Sequence, residues 1–326
     1  MARLRSPAGR RWPWWPVATA VMALGVLALG SVLAPSGRRD VERVMLFVVL
    51  AESWNLIGGF AGYISLGQVA FFGLGGYTTG VLMARAHWSF PLALGMGAAV
   101  AGLVAWLLGP PLLRLRGAYF AIASLGIAEG LSELATNLGR LTGGGAGLTI
   151  PAFGRLAPTA YPGSAVFFVA FWALGVTSVV VVALTSRTRL GFGLRAIRED
   201  EGAAASLGVR TGRAKTLALV ISAVLAALGG GLWAFQSVVI FPDRVFALST
   251  TVLVIAMVVL GGSGTVLGPV VGAALLEGTA DLARGSTPGG TEMVLGLAIV
   301  AIVLFVPDGV LGILGRLGPL KRRDAR

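Results

Sequence analysis

Long apolar runs separated by short polar joints dominate the chain. A helix crossing a bilayer needs roughly 20 apolar residues at about 1.5 Å each. Ten windows meet or approach that length: 16–34, 41–59, 63–84, 90–110, 117–138, 164–185, 215–238, 246–261, 265–283 and 291–313. The windows 63–84, 246–261 and 265–283 are short or interrupted by glycine, and fit a re-entrant segment as well as a span. The pattern therefore predicts an all-α, polytopic membrane helix bundle with about 8–10 transmembrane helices, some Gly-broken or re-entrant. One transmembrane domain would occupy 16–313, between basic cytoplasmic tails at 1–15 and 314–326. The apolar run after the basic start reads as a retained first helix rather than a cleaved leader.

One interval departs from this pattern. Residues 186–215, "SRTRLGFGLRAIREDEGAAASLGVRTGRAK", hold ten of the forty charged side chains, between flanks that carry none. If the N-terminus is cytoplasmic, six crossings return this island to the cytoplasm and four more leave the C-terminus there. That orientation puts 18 of the 26 Lys and Arg on the cytoplasmic side, as basic loops favour, although Arg38, Arg39 and Arg43 fall outside. The centre of the island, "LRAIREDEGAAASLG", suits a short helix outside the bilayer. Arg198 and Glu201 would pair along one face, and Gly208 would end the helix.

Composition narrows the function. The chain is 56% hydrophobic and only 12% charged, against about 25% charged in an average soluble domain. The net charge of +12 then reflects membrane orientation rather than nucleic-acid binding. There is no cysteine, so thiolate chemistry and Cys-ligated metal are closed off. Neither lysine lies in a G-x-x-x-x-G-K-[ST] sequence, G-x-S-x-G does not occur, and one histidine offers no metal cluster. No catalytic residue and no metal ligand is nominated. Glycine, at 49 residues, recurs four apart at Gly58/Gly62, Gly76/Gly80, Gly126/Gly130, Gly264/Gly268 and Gly268/Gly272. That spacing predicts close helix packing.

The island, together with "NLIGGFAGYISLGQVAFFGLGGYTTGVL", "RLRGAYFAIASLGIAEG", "NLGRLTGGGAGLTIP", "GGSGTVLGPVVGAALLE" and "PDGVLGILGR", resembles the permeases of branched-chain amino acid ABC importers, the LivH/LivM family, and the LivM type more than the LivH type. The first 40 residues carry little of the likeness. The resemblance implies that "AIREDE-x-AA-x-x-x-G" is a coupling segment that docks in a groove of a separate ATPase. The coupling positions would be Ala196, Ile197, Arg198, Glu199, Asp200, Glu201, Ala203, Ala204 and Gly208. It also implies a homologous second permease, two cytoplasmic ATP-binding subunits and an extracytoplasmic substrate-binding protein. ATP and magnesium would be used by the partner ATPase, with no cofactor on this chain, in a bacterial inner membrane. The alternative is a stand-alone ion-coupled secondary transporter or channel.

Polar residues inside apolar runs are candidates for a translocation path: Glu52, Asn55, Gln68, Glu129, Glu133, Asn137, Glu277 and Asp281. The plainer reading for each is an interhelical hydrogen bond or a place near the interface. Asn55, Gln68 and Glu129 are the preferred path residues. Asn55 and Gln68 flank "LIGGFAGYISLG", where unwound backbone would offer groups to a zwitterion. "VLGGSGTVLGPVVGA" is a comparable break in the second half. Gly143, Gly144 and Gly145 fit a turn or docking loop better than an anion site.

Overall fold

A computed structural model describes residues 34–150 and 164–284, with Gly296 alone beyond them. The outermost predicted spans, 16–34 and 291–313, and both basic tails lie outside the described residues apart from those isolated positions. Each of the other eight windows contains a helix. They are α1 (Pro35–Asn55), α2 (Gln68–Arg85), α3 (Phe90–Leu112), α4 (Ala118–Asn137), α6 (Ala165–Arg187), α9 (Thr211–Ser237), α11 (Leu248–Gly261) and α12 (Gly268–Arg284). Shorter helices are α5 (Gly139–Thr142), α7 (Arg189–Glu199), α8 (Glu201–Ser206) and α10 (Pro242–Val245).

Among the described residues, five segments are long and apolar enough to cross a membrane: Ser36–Phe60, Phe90–Leu112, Ala165–Arg187, Thr211–Ser237 and Pro242–Gly261. The last gains its length from α10, which extends a window that looked short. α4, read from sequence as a secure span, is not among the five. Glu129 and Glu133 with interspersed glycine lower its apolarity. α2 and α12 are also outside the set, and both begin directly after a break in helical structure.

α1 packs against α6, α9, α11 and α12, and α9, the most widely connected helix among the described residues, packs mainly against α2 and α3. Glycine sets the closest approaches. A Cβ on Gly75 would collide with the Ala227 backbone, and one on Gly230 with the Phe72 carbonyl. α2 and α9 therefore touch backbone to backbone, as helices do where no hydrophobic drive separates lipid from protein. Gly268 and Gly272 do the same against Gly261 and Met257, joining α12 to α11. Gly126 and Gly130 behave differently, because a Cβ on either would meet nothing within 4 Å. Their predicted close packing has no partner among the described residues.

At the end of the bundle reached by Arg85, Asn137 and Ser237, β1 (Leu148–Thr149) and β2 (Val239–Ile240) pair antiparallel, Leu148 opposite Ile240. Gly143 and Gly144 take positive φ, as the turn out of α5 requires. The opposite end gathers residues 61–67, 113–117, 188–210 and 262–267, and the candidate site lies there.

Candidate functional site

Within the island, the predicted single helix is two. Asp200 is extended (φ −156°, ψ 115°) and separates α7 from α8. Its carboxylate accepts the Ala203 N–H at 2.8 Å, an N-cap that favours starting a new helix there. Gly208 ends α8 at φ 88°. The Val209 N–H returns to the Ala204 carbonyl and the Gly208 N–H to the Ala205 carbonyl, the paired closure of a Schellman motif. The predicted stop at Gly208 is therefore present.

The bend at Asp200 also undoes the expected Arg198–Glu201 pair by sending the two side chains to different partners. Arg198 donates from Nη1 to the Gly59 carbonyl at 2.7 Å. Glu201 accepts from Lys215 Nζ at 2.6 Å and from the Tyr63 hydroxyl at 2.7 Å, and meets Arg116 Nε at 3.3 Å. Lys215 also donates to the Leu113 carbonyl at 2.8 Å and to the Tyr63 hydroxyl at 2.9 Å. One cation thus ties the start of α9 to the end of α3, the 61–67 connection and α8. Partial burial opposes ionisation of Glu201. The hydrogen bonds from Lys215 and Tyr63 and the charges of Lys215 and Arg116 outweigh it and hold the carboxyl below its ordinary pKa. Tyr63 moves the other way, since burial raises it more than Lys215 lowers it.

The coupling positions divide into two faces. Ile197 and Ala204 are buried, Ala196 and Glu201 are half-buried, and Leu194 beside them is fully buried. Arg198, Glu199, Asp200, Ala203 and Gly208 are exposed. Leu207 is 85% exposed at the tip of α8, an apolar side chain held away from the bundle by the capped turn. One face is anchored and the other is bare, except that the exposed Arg198 reaches back to the Gly59 carbonyl.

Behind the anchored face the two glycine-rich breaks meet. α1 widens into a π-helical turn at Leu56–Phe60, and Gly62 takes φ 76° against the Arg198 side chain. From the second break, the Gly264 N–H donates to Asn55 Oδ1 at 2.9 Å, while Asn55 Nδ2 donates to the Thr265 carbonyl at 2.8 Å. Gly264 also takes positive φ, and a Cβ there would lie 2.6 Å from Arg198 Nη1. Asn55 therefore clamps one break to the other, and Arg198 touches both. Gln68 is likewise committed: its Nε2 donates to Ser53 at 2.6 Å, with Ser222 at 3.4 Å. Both amides are buried.

The remaining polar candidates are scattered. Glu52 is fully buried one turn before Asn55, and Glu277 is buried in α12, which also carries Asp281. Glu129, Glu133 and Asn137 lie on the exposed side of α4, where Asn137 Nδ2 donates to Glu133 at 3.1 Å. Tyr63, Arg116, Lys215 and Leu207 were not singled out from sequence. For Lys215 a signal existed: it is the last cation before the uncharged run of an apolar helix, where burial calls for a counter-charge.

The family described as "Branched-chain amino acid transport system / permease component" matches residues 41–306. The chain belongs to this family. This permease is 31% identical to the high-affinity branched-chain amino acid transport system permease protein LivM of Salmonella typhimurium, over 89% of this chain and 74% of that protein. It is 32% identical to Escherichia coli LivM over the same shares. The permease protein BraD of Pseudomonas aeruginosa matches at 34% over 48% of this chain and 56% of its own length. No solved structure matches it. It is thus a multi-pass membrane protein and a transport-system subunit.

Proposed function

We propose that this permease is the membrane-spanning part of an ATP-driven importer for branched-chain amino acids or related small solutes, and that α7 and α8 are the lever through which a separate ATPase moves it. The observation that carries this reading is the contact of Arg198 with Gly59 and Gly264 behind a docking face bearing Glu199, Asp200, Ala203 and Leu207. A push on that face displaces Arg198. Because Asn55 ties the breaks together, α1, α2, α11 and α12 would respond as a group. Two small apolar-helix hinges respond to one charged lever without any nucleotide chemistry on this chain.

The names of the relatives support branched-chain amino acids as cargo. A second permease, two ATP-binding subunits that use ATP and magnesium, and an extracytoplasmic binding protein complete the assembly. The coupling end then faces the cytoplasm of a bacterial inner membrane. Glu129 supports a path at the interface with the second permease. It sits about halfway along the 20 residues of α4 with an exposed side chain. Facing lipid there costs roughly 2.5–3.5 kcal/mol, so a partner or an aqueous path is the better neighbour.

Reconstitution in liposomes tests the reading. Uptake is expected only when ATPases, second permease and binding protein are present with ATP. Uptake by this chain alone, driven by an ion gradient, would replace the importer with a secondary transporter.

A further inference from the structure

A cavity of about 720 Å³ opens between the end of α3 and the start of α9, on the bundle's outer side next to the Glu201–Lys215 pair. Its lining is graded. Trp106 and Pro110 precede Arg114 at intervals of four along α3 and its exit, and on α9 Arg213 precedes Leu217 by one turn. Each wall is basic at the coupling end and apolar about 6–12 Å deeper, at 1.5 Å per helical residue. Trp106 is 59% exposed and Leu217 53%, so the deeper part is open to lipid. Arg114 and Arg213 are exposed and form no ion pair among the described residues.

The start of α9 adds to this positive field. Its N-cap, Arg210, makes no side-chain cap, which leaves the N–H groups of Thr211, Gly212 and Arg213 without intrahelical acceptors. Thr211 and Gly212 also line the cavity. An uncapped N-terminus flanked by free guanidinium groups attracts an anion. The single acid in the lining, Glu201, is already held by Lys215.

The geometry points to a binding site for an anionic phospholipid: its phosphate between Arg114, Arg213 and the first turn of α9, its glycerol against Pro110 and Thr211, and its acyl chains along Trp106 and Leu217. Charge complementarity selects the headgroup, and the apolar wall selects a lipid over a soluble anion. A lipid seated there braces the helix start that carries Lys215, and so the anchor of α8. The importer reading determines only which leaflet supplies the lipid.

The test uses the full chain in detergent, without ATPase or transport, so it stands or falls apart from that reading. Phosphatidylglycerol is expected to raise the apparent melting temperature and to survive as an adduct in native mass spectrometry, whereas phosphatidylcholine of the same chains does neither. Arg114→Ala with Arg213→Ala should weaken the phosphatidylglycerol response about tenfold or more. Trp106→Ala, which keeps the charges, should weaken it less. Equal responses to both lipids, or a double variant that responds like the parent, would overturn the site. Full displacement by glycerol phosphate would overturn the lipid assignment in favour of a soluble anion. Blockage of the cavity by a bound ATPase subunit in an assembled complex that retains no lipid would assign it to protein docking instead.

Discussion

Glu201 and Glu129 are both carboxylates on helices of an apolar bundle, yet their surroundings are opposite. Glu201 has three partners supplied by α9, the 61–67 connection and the exit of α3. Glu129 is exposed on α4, near two glycines that meet nothing, and has no side-chain polar partner among the described residues. One region is finished within the chain. The other is an exposed surface. Under the proposed function, a lever has to be held firmly to the helices it moves, whereas a path side has to stay available to a second subunit and to solute.

The comparison is broken most severely at Glu201. Glu201→Gln leaves the Lys215 ammonium nearly buried (3% exposed) without its counter-charge. Removing one member of a buried ion pair costs about 3–5 kcal/mol, and the remaining bonds to Tyr63 and Leu113 put the expected loss at the lower end. Unfolding in detergent should read it, with ATP-driven uptake falling alongside. Arg198→Ala comes next. Uptake should drop roughly tenfold while ATPase association persists, at a stability cost of about 1–2 kcal/mol for a charge-assisted hydrogen bond near the surface. A variant that transports normally would show that the breaks do not depend on this contact.

The α4 face should respond to assembly instead. The chain has no cysteine, so Gly126→Cys gives a single thiol on an open surface. It should react with a water-soluble maleimide when this permease is purified alone and become protected when the second permease is present. Equal reactivity in both states would remove α4 from the interface.

The smallest expected effect is a pH dependence. Glu201 has its folded pKa lowered from an unfolded value near 4.3. Its contribution to stability is complete above that value and is lost as pH falls through the lower, folded pKa. Melting curves between pH 6 and pH 3 should therefore decline more steeply for the parent than for Glu201→Gln.

Much of this architecture was legible in the sequence, and the exceptions have physical causes. Apolar length placed every described long helix, and glycine density located both breaks. The island's charge marked the end of the bundle where the Glu201–Lys215 network gathers. Hydrophobic periodicity reports that a segment is helical, but not which residue of another helix will stand opposite it. Hence Arg198 and Glu201, three apart, looked like a local pair until the Asp200 cap bent the chain between them. Asn55 shows the same limit. A polar residue in an apolar run signals that a partner is required, but not which one; here the partners are Gly264 and Thr265. Lys215 needed Glu201, Tyr63 and Leu113, contributed by three other parts of the chain.

The docking of α8 can be tested with Leu207→Cys, again the only thiol in the chain. Membrane vesicles of known orientation are treated with an impermeant maleimide, with and without ATPase subunits. Reaction should occur only from the cytoplasmic side and be blocked once the ATPases bind. Labelling from the outer side, or labelling indifferent to the ATPases, would contradict the lever.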